Sequence, residues 1–185
     1  MSSERTTRLS YEESYTLLQR LHYVGAGAEG VIPPIPGHRP QCEDEELLGI
    51  RFFRTWVGVG ESNLDNLTLA RTFFGRSEIG PVSFKNTDLS ESSLCWNDFN
   101  EVNFTDADLS GCDLRASIFS EVDFVRTNLR NADLRRSSFE ACDFTDADMR
   151  GAKLTREQGK QFPLADQQRN VIDWQESDGD EPPGG

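Results

Sequence analysis

From Leu64 onward a large apolar residue returns at every fifth position: Leu69, Phe74, Ile79, Phe84, Leu89, Leu94, Phe99, Phe104, Leu109, Leu114, Phe119, Phe124, Leu129, Leu134, Phe139, Phe144, Met149 and Leu154. Two residues before each stands a mostly small side chain, as in Thr87, Ser92, Ala107, Cys112, Ser117, Ala132, Ser137, Cys142, Ala147 and Ala152, with Leu67 and Asn97 the main departures. The positions between are rich in Asp, Asn, Ser, Arg and Thr. A period of five fits neither the ~3.6 of a helix nor the alternation of a strand. The chain must turn a corner within every repeat, burying one large and one small side chain each time, which is the rule of a solenoid.

The choice between Leu and Phe sets the number of sides. Phe occupies 84, 99, 104, 119, 124, 139 and 144, in alternating steps of fifteen and five, so the full coil is twenty residues and has four sides. The first side stacks Leu64, Phe84, Phe104, Phe124 and Phe144, and the second Leu69, Leu89, Leu109, Leu129 and Met149. The third stacks Phe74, Leu94, Leu114, Leu134 and Leu154, and the fourth Ile79, Phe99, Phe119 and Phe139.

The segments TDADL, RNADL and TDADM carry a resemblance to the pentapeptide-repeat family, whose unit is written A(D/N)LXX. The resemblance implies an all-β fold, a right-handed quadrilateral β-helix whose coils stack at roughly 4.8 Å. It also implies function classes: interaction modules, including immunity proteins that bind a toxin, and DNA mimics that bind a type II topoisomerase and protect or inhibit DNA gyrase. Family members dimerise through the C-terminal end, so a monomer and a homodimer are both expected states.

Outside the coil the expected organisation is an N-terminal helix, loop and entry strand over 1–56, the β-helix over 57–155, a helical cap over 156–175 and a disordered acidic tail over 176–185. Ser10 and Glu13 form a capping box ahead of a helix from Tyr11 to His22, with Tyr15, Leu18 and Leu21 on one face and Gly25 ending it. The Gly- and Pro-rich stretch that follows reads as loop. After the acidic run Glu43 to Glu46 an apolar segment reads as the entry strand covering the first coil, with Val57 and Val59 in the small-then-large phase. Thr155 and Gln158 make a second capping box, after which Leu164, Val171, Ile172 and Trp174 can fold back as a lid or form a dimer contact.

The net charge of -13 disfavours direct binding to nucleic acid or anionic membrane. No apolar run approaches the ~20 residues of a membrane span, and the polar start lacks the apolar stretch of a secretory signal, so a cytoplasmic location is expected. Four cysteines without a CxxC pair, and only two histidines, give no metal-ligand pattern, and Cys112 and Cys142 fall at inward small positions as compact fillers. Pairs such as Asp106 with Asp108, and Asp146 with Asp148, recur as parts of the repeat unit, where Asp binds local backbone amides. No nucleophile elbow or phosphate-cradling loop is present, so neither enzymatic activity nor a cofactor is expected.

Sorting the outward positions by side gives the candidate surfaces. The fourth side exposes Glu78, Asp98, Glu101, Glu121 and Glu140 without a basic residue, and the first adds Asp65, Asp106, Asp123, Asp143 and Asp146 against Lys85 and Arg126. The third side carries Arg76, Arg115, Arg135, Arg136, Lys153 and Arg156, opposed by Asp113 and Asp133, together with Phe73 and Trp96. Phe73, Trp96, Arg115, Arg135 and Arg136 form a candidate binding surface for a protein partner, because exposed aromatics beside Arg resemble interface anchors.

Overall fold

The computed structural model describes residues 7–21, 31–32, 51–53, 56–57, 63–161 and 163–176. Helix α1 (Tyr11–Arg20) precedes three short strands, β1 (Val31–Ile32), β2 (Arg51–Phe53) and β3 (Trp56–Val57). The coil contains β4 (Phe73–Gly75), β5 (Glu78–Ile79), β6 (Val82–Ser83), β7 (Asp98–Asn100), β8 (Val102–Asn103), β9 (Ile118–Ser120), β10 (Ser138–Glu140) and β11 (Lys153–Thr155). A 3-10 turn (Gln158–Lys160), helix α2 (Asp166–Arg169) and β12 (Asp173–Gln175) close the chain.

The four sides stand as the alternation of Phe and Leu predicts. On the fourth side β3, β5, β7, β9 and β10 form one five-stranded parallel sheet, with Phe99 opposite Phe119 and Phe119 opposite Phe139. Parallel bridges link Thr68, Asp88, Asp108, Asn128 and Asp148 on the second side, and Asn103, Asp123 and Asp143 on the first. The third side runs from β2 through β4 and a series of bridges to β11 and β12. Phe and Leu columns are buried throughout, and Phe104, Phe119, Phe124, Leu109 and Leu114 are fully so. Phe rings stack from coil to coil, Phe99 on Phe119 at 4.8 Å and Phe124 on Phe144 at 4.7 Å between centroids. The two Phe columns occupy adjacent sides and meet edge to face at every rung, as in Phe119 against Phe124 at 5.5 Å.

Corners explain the inward polar residues. Except at Pro81, the residue two after the large one takes a left-handed backbone at every corner from Asn66 at φ 61° to Asp146 at φ 58°. Peptide groups at such a turn are not all served by the ladder, and the small residue of the next coil serves them. Ser137 Oγ donates to Leu114 O at 2.6 Å, and Ser117 N–H donates back to Ser137 Oγ at 3.2 Å. Asn97, a departure by size, performs the same pairing with its amide, donating to Phe74 O at 2.9 Å and accepting from Ser77 N–H at 2.9 Å. Left-handed backbone costs a residue with a Cβ about 1–2 kcal/mol. Ala141, exposed at φ 51°, carries this cost without packing in return. Ala141→Gly is therefore expected to stabilise the fold by about 0.5–1 kcal/mol, after the ~0.4–1 kcal/mol of added freedom in the unfolded chain is subtracted. Urea denaturation checks this.

The ends differ more from expectation. The Ser10–Glu13 capping box forms, with Ser10 N–H donating to Glu13 Oε2 at 2.8 Å and Glu13 N–H to Ser10 Oγ at 3.2 Å. Helix α1 docks on the first coil: Leu9 N–H donates to Asn66 O at 2.7 Å, and Thr68 N–H donates to Ser14 Oγ at 2.9 Å. Leu18 and Leu67 are both fully buried in one cluster, so the large residue at position 67 meets a helix where later corners meet another coil. Helix α1 ends at Arg20, short of the expected His22, so Leu21 follows it and is 41% exposed while Leu18 of the same expected face is buried. The side chain of Tyr15, and Gly25, Glu43 to Glu46, Val59 and residues 177–185, lie outside the described residues.

Strands β2 and β3 extend the third and fourth sides as the entry segment should, but out of phase. Phe52 pairs with Phe74 and Val57 with Ile79, two residues further apart than the 20-residue spacing of the later rungs. Val57 is consequently the large inward residue of its rung, not the small one, because the pentad phase is not continuous back through the segment before Leu64. At the other end Leu164 and Ile172 are buried and Trp174 packs against the same core, with β12 placing Trp174 opposite Leu154. Val171, expected in the lid, is 40% exposed.

Candidate interaction surface

Outward positions stack in straight lines, so each side is a strip of side chains repeated at the coil spacing. On the third side Trp96 sits at a corner with φ 60° and is 62% exposed. Phe73, expected to be exposed, is half-buried on the third-side ladder, where its backbone pairs with Ser93. Arg115 donates from Nε and Nη2 to Asp113, both at 2.8 Å, and lies 3.9 Å from Asp133. Arg135 grips Asp133 in the same way at 2.9 and 2.7 Å, with both side chains only 17% exposed. Asp and Arg two residues apart on one rung point the same way, so much of this side's positive charge is consumed internally. Arg136 is exposed on the same corner line as Trp96, two coils further on.

The acidic residues divide into two groups. Asp106 is bound by Arg126 through two bonds of 2.7 Å, Asp123 accepts from Asn103 Nδ2 at 3.2 Å, and Asp143 accepts from Thr145 N–H and Oγ at 2.8 and 2.6 Å. Asp108 likewise closes a turn onto Ser110 N–H at 2.9 Å, as expected for Asp in the repeat unit. Asp98, Glu101, Glu121 and Glu140 on the fourth side, and Asp146 on the first, are exposed and have no ion-pair partner among the described residues. Burial pushes the thiols of Cys95 and Cys142 above their ordinary pKa, away from the activated state of a nucleophile.

A family model for pentapeptide repeats matches eight copies over residues 82–115 and 117–156. A pentapeptide-repeat protein from the thylakoid lumen of Arabidopsis thaliana is 30% identical over 61% of this chain and 72% of its own, with a TM-score of 0.32. The chain belongs to the pentapeptide-repeat family.

Two further solved structures share less of the sequence. QnrB1, a plasmid-mediated fluoroquinolone resistance protein, shares 21% identity, covering 57% of this chain and 53% of that one, with a TM-score of 0.39. HetL, involved in heterocyst differentiation regulation in the cyanobacterium Nostoc, shares 18% identity over 57% and 60% of the two chains, with a TM-score of 0.31. No curated protein matches.

Within this pentapeptide-repeat rod one exposed apolar residue escapes a reading based on charge and aromatics. Ile118 projects from β9 on the fourth side and is 52% exposed, between Asp98 and Ser138 in the ladder. Its position just before a large inward residue, where the repeat places a polar side chain, is the signal that could have found it.

The Asp133 cluster makes a testable contribution to stability. Burial opposes its ionisation, but hydrogen bonds from the Arg135 side chain and N–H, with both guanidinium charges, hold its carboxyl below the usual carboxylate range. A depressed folded pKa stabilises the fold above the unfolded value of ~3.9, and that stability disappears as pH falls through the folded value. Asp133→Asn is expected to cost about 1–2 kcal/mol at pH 7. The gap from the unmodified protein should close below about pH 4, as read by urea denaturation across pH.

Proposed function

We propose that this pentapeptide-repeat protein is a non-enzymatic interaction module, a rigid rod that binds a protein partner through its outward sides. The observation that carries this is Trp96. The inward positions are occupied by packing columns and corner hydrogen bonds, while a large aromatic is held mostly exposed at a left-handed corner, a conformation costly for a bulky residue. Exposed Trp on a rigid support is the residue type that dominates binding energy at protein interfaces. A toxin neutralised by an immunity protein is one form such a partner could take. Affinity capture from the native host with the full chain, against Trp96→Ala of equal thermal stability, tests the reading. A partner retained by the unmodified protein and lost by the variant supports it, and the absence of any specific partner overturns it.

A second reading is favoured by the unpaired acids: a DNA-mimicking face that engages a type II topoisomerase. Asp98, Glu101, Glu121 and Glu140 leave negative charge available along the rod. A supercoiling assay with and without quinolone decides it, since neither inhibition nor protection at micromolar protein would end that reading.

A further inference from the structure

Ile118 on the fourth side and Trp96 at its corner with the third form an apolar pair flanked by acids, and we infer that this patch docks a basic protein segment with an aliphatic or aromatic anchor. The inference rests on the interaction-module reading and assigns its site. Among the described residues only four large apolar side chains are markedly exposed, and two of them, Trp96 and Ile118, belong to this patch. They are neighbours by register: Ile118 pairs with Asp98, two residues after Trp96, and Trp96 N–H donates to Arg115 O on the next rung at 3.1 Å. Ala116, one coil beyond Trp96 at the same corner, leaves the space between them free of a long side chain. The five-stranded parallel sheet beneath Ile118 keeps this face flat and preorganised.

Charge selects the occupant. Asp98, Glu101, Glu121 and Glu140 lie on the fourth-side flank of the apolar pair, exposed and without ion-pair partners among the described residues. Other sides also set acids opposite each other, as in Asp113 with Asp133 and Asp123 with Asp143, but those acids are held by neighbouring donors, Asp133 by Arg135 at 2.7 Å and Asp143 by Thr145 N–H at 2.8 Å. On the fourth side like charges face each other, Glu78 opposite Asp98, an arrangement that destabilises a sheet. The fold gains nothing from this repulsion; a cationic ligand relieves it. Arg76 and Arg136 lie on the corner line of Trp96 and make that edge of the patch basic, so the cationic part of the ligand runs the other way, toward Glu101 and Glu121 on the next corner line.

Random-peptide display on the immobilised full chain tests this, followed by anisotropy measurements on the enriched peptides with three proteins: unmodified, Trp96→Ala/Ile118→Ser, and Glu101→Lys/Glu121→Lys. Both variants alter exposed positions, and circular dichroism confirms that each is folded. The expected result is enrichment of peptides with several Lys or Arg and an apolar anchor. Binding should weaken at least tenfold in each variant and decline with added salt. Peptides that lack basic bias, or that bind both variants unchanged, overturn the fourth-side assignment while leaving an interaction module standing. Enrichment of no peptide at all overturns the assignment and counts against the module reading as well.

Discussion

Phe119→Ala is expected to lower the unfolding free energy by about 3–5 kcal/mol and the melting temperature by roughly 6–20 °C. Phe119 is fully buried and stacks on Phe99 at 4.8 Å and on Phe139 at 5.1 Å, with interplanar angles of 8° and 5°. It also meets Phe124 edge on at 5.5 Å, so its removal breaks contacts along one column and across to the next. In a solenoid each coil touches only its neighbours, and a gap at the middle rung weakens the interfaces on both sides of it. Phe119→Leu restores most of the apolar volume and should cost far less. A variant with Ala at this position that melts with the unmodified protein would contradict the stacked columns.

Those columns were legible because every coil repeats the same burial, so one residue type at one position is read five times over on three of the sides. The alternation of Phe and Leu carries the side count for a physical reason: stacked rings need a ring at the same place in the next coil. The ladder places Phe99, Phe119 and Phe139 opposite one another. What lay outside the repeat was less readable. The two-residue slip that puts Val57 in the large position leaves no mark in a segment where apolar residues are dense. Helix α1 was visible through Ser10 and Glu13, yet its docking on Asn66 and Thr68 depends on hydrogen bonds between segments distant in sequence.

The candidate surface shows the same division. Counting outward charges by side placed Arg115 and Arg135 correctly on one face. It could not show that Asp113 and Asp133 bind them two residues away, since that depends on rotamers. Trp96 stands out in the sequence as an aromatic at an outward position, whereas Ile118 is one aliphatic residue in a line of polar ones and carries no charge to mark it. The fourth side thereby gains in importance relative to the third: its acids have no ion-pair partner among the described residues, and Ile118 projects from its five-stranded sheet beside the Trp96 corner.

The second large effect is expected at the end of the rod, where Gln158→Leu should cost about 2–4 kcal/mol, since each buried polar group left without a partner costs about 1–3 kcal/mol. Gln158 is buried, and its Nε2 donates to Leu134 O and Ser137 O, both at 2.9 Å, while its Oε1 accepts from Thr155 N–H at 3.0 Å. This repeats at the terminus what Ser137 does for Leu114 one coil earlier, so a single amide stands in for the missing next coil. Gln168 is placed equivalently at another corner, donating to Phe144 O at 2.7 Å and Ala147 O at 3.1 Å, but it is only half-buried. Water can replace its bonds, and Gln168→Leu should cost clearly less. Leu preserves the volume at both sites, so the difference isolates the hydrogen bonds from the packing. An unsatisfied last rung also presents a sheet edge, which favours association end to end. Urea denaturation with size-exclusion chromatography reads both effects. Equal losses at the two sites would show that burial does not set the cost, and no loss at Gln158 would show that the amide is not what terminates the coil.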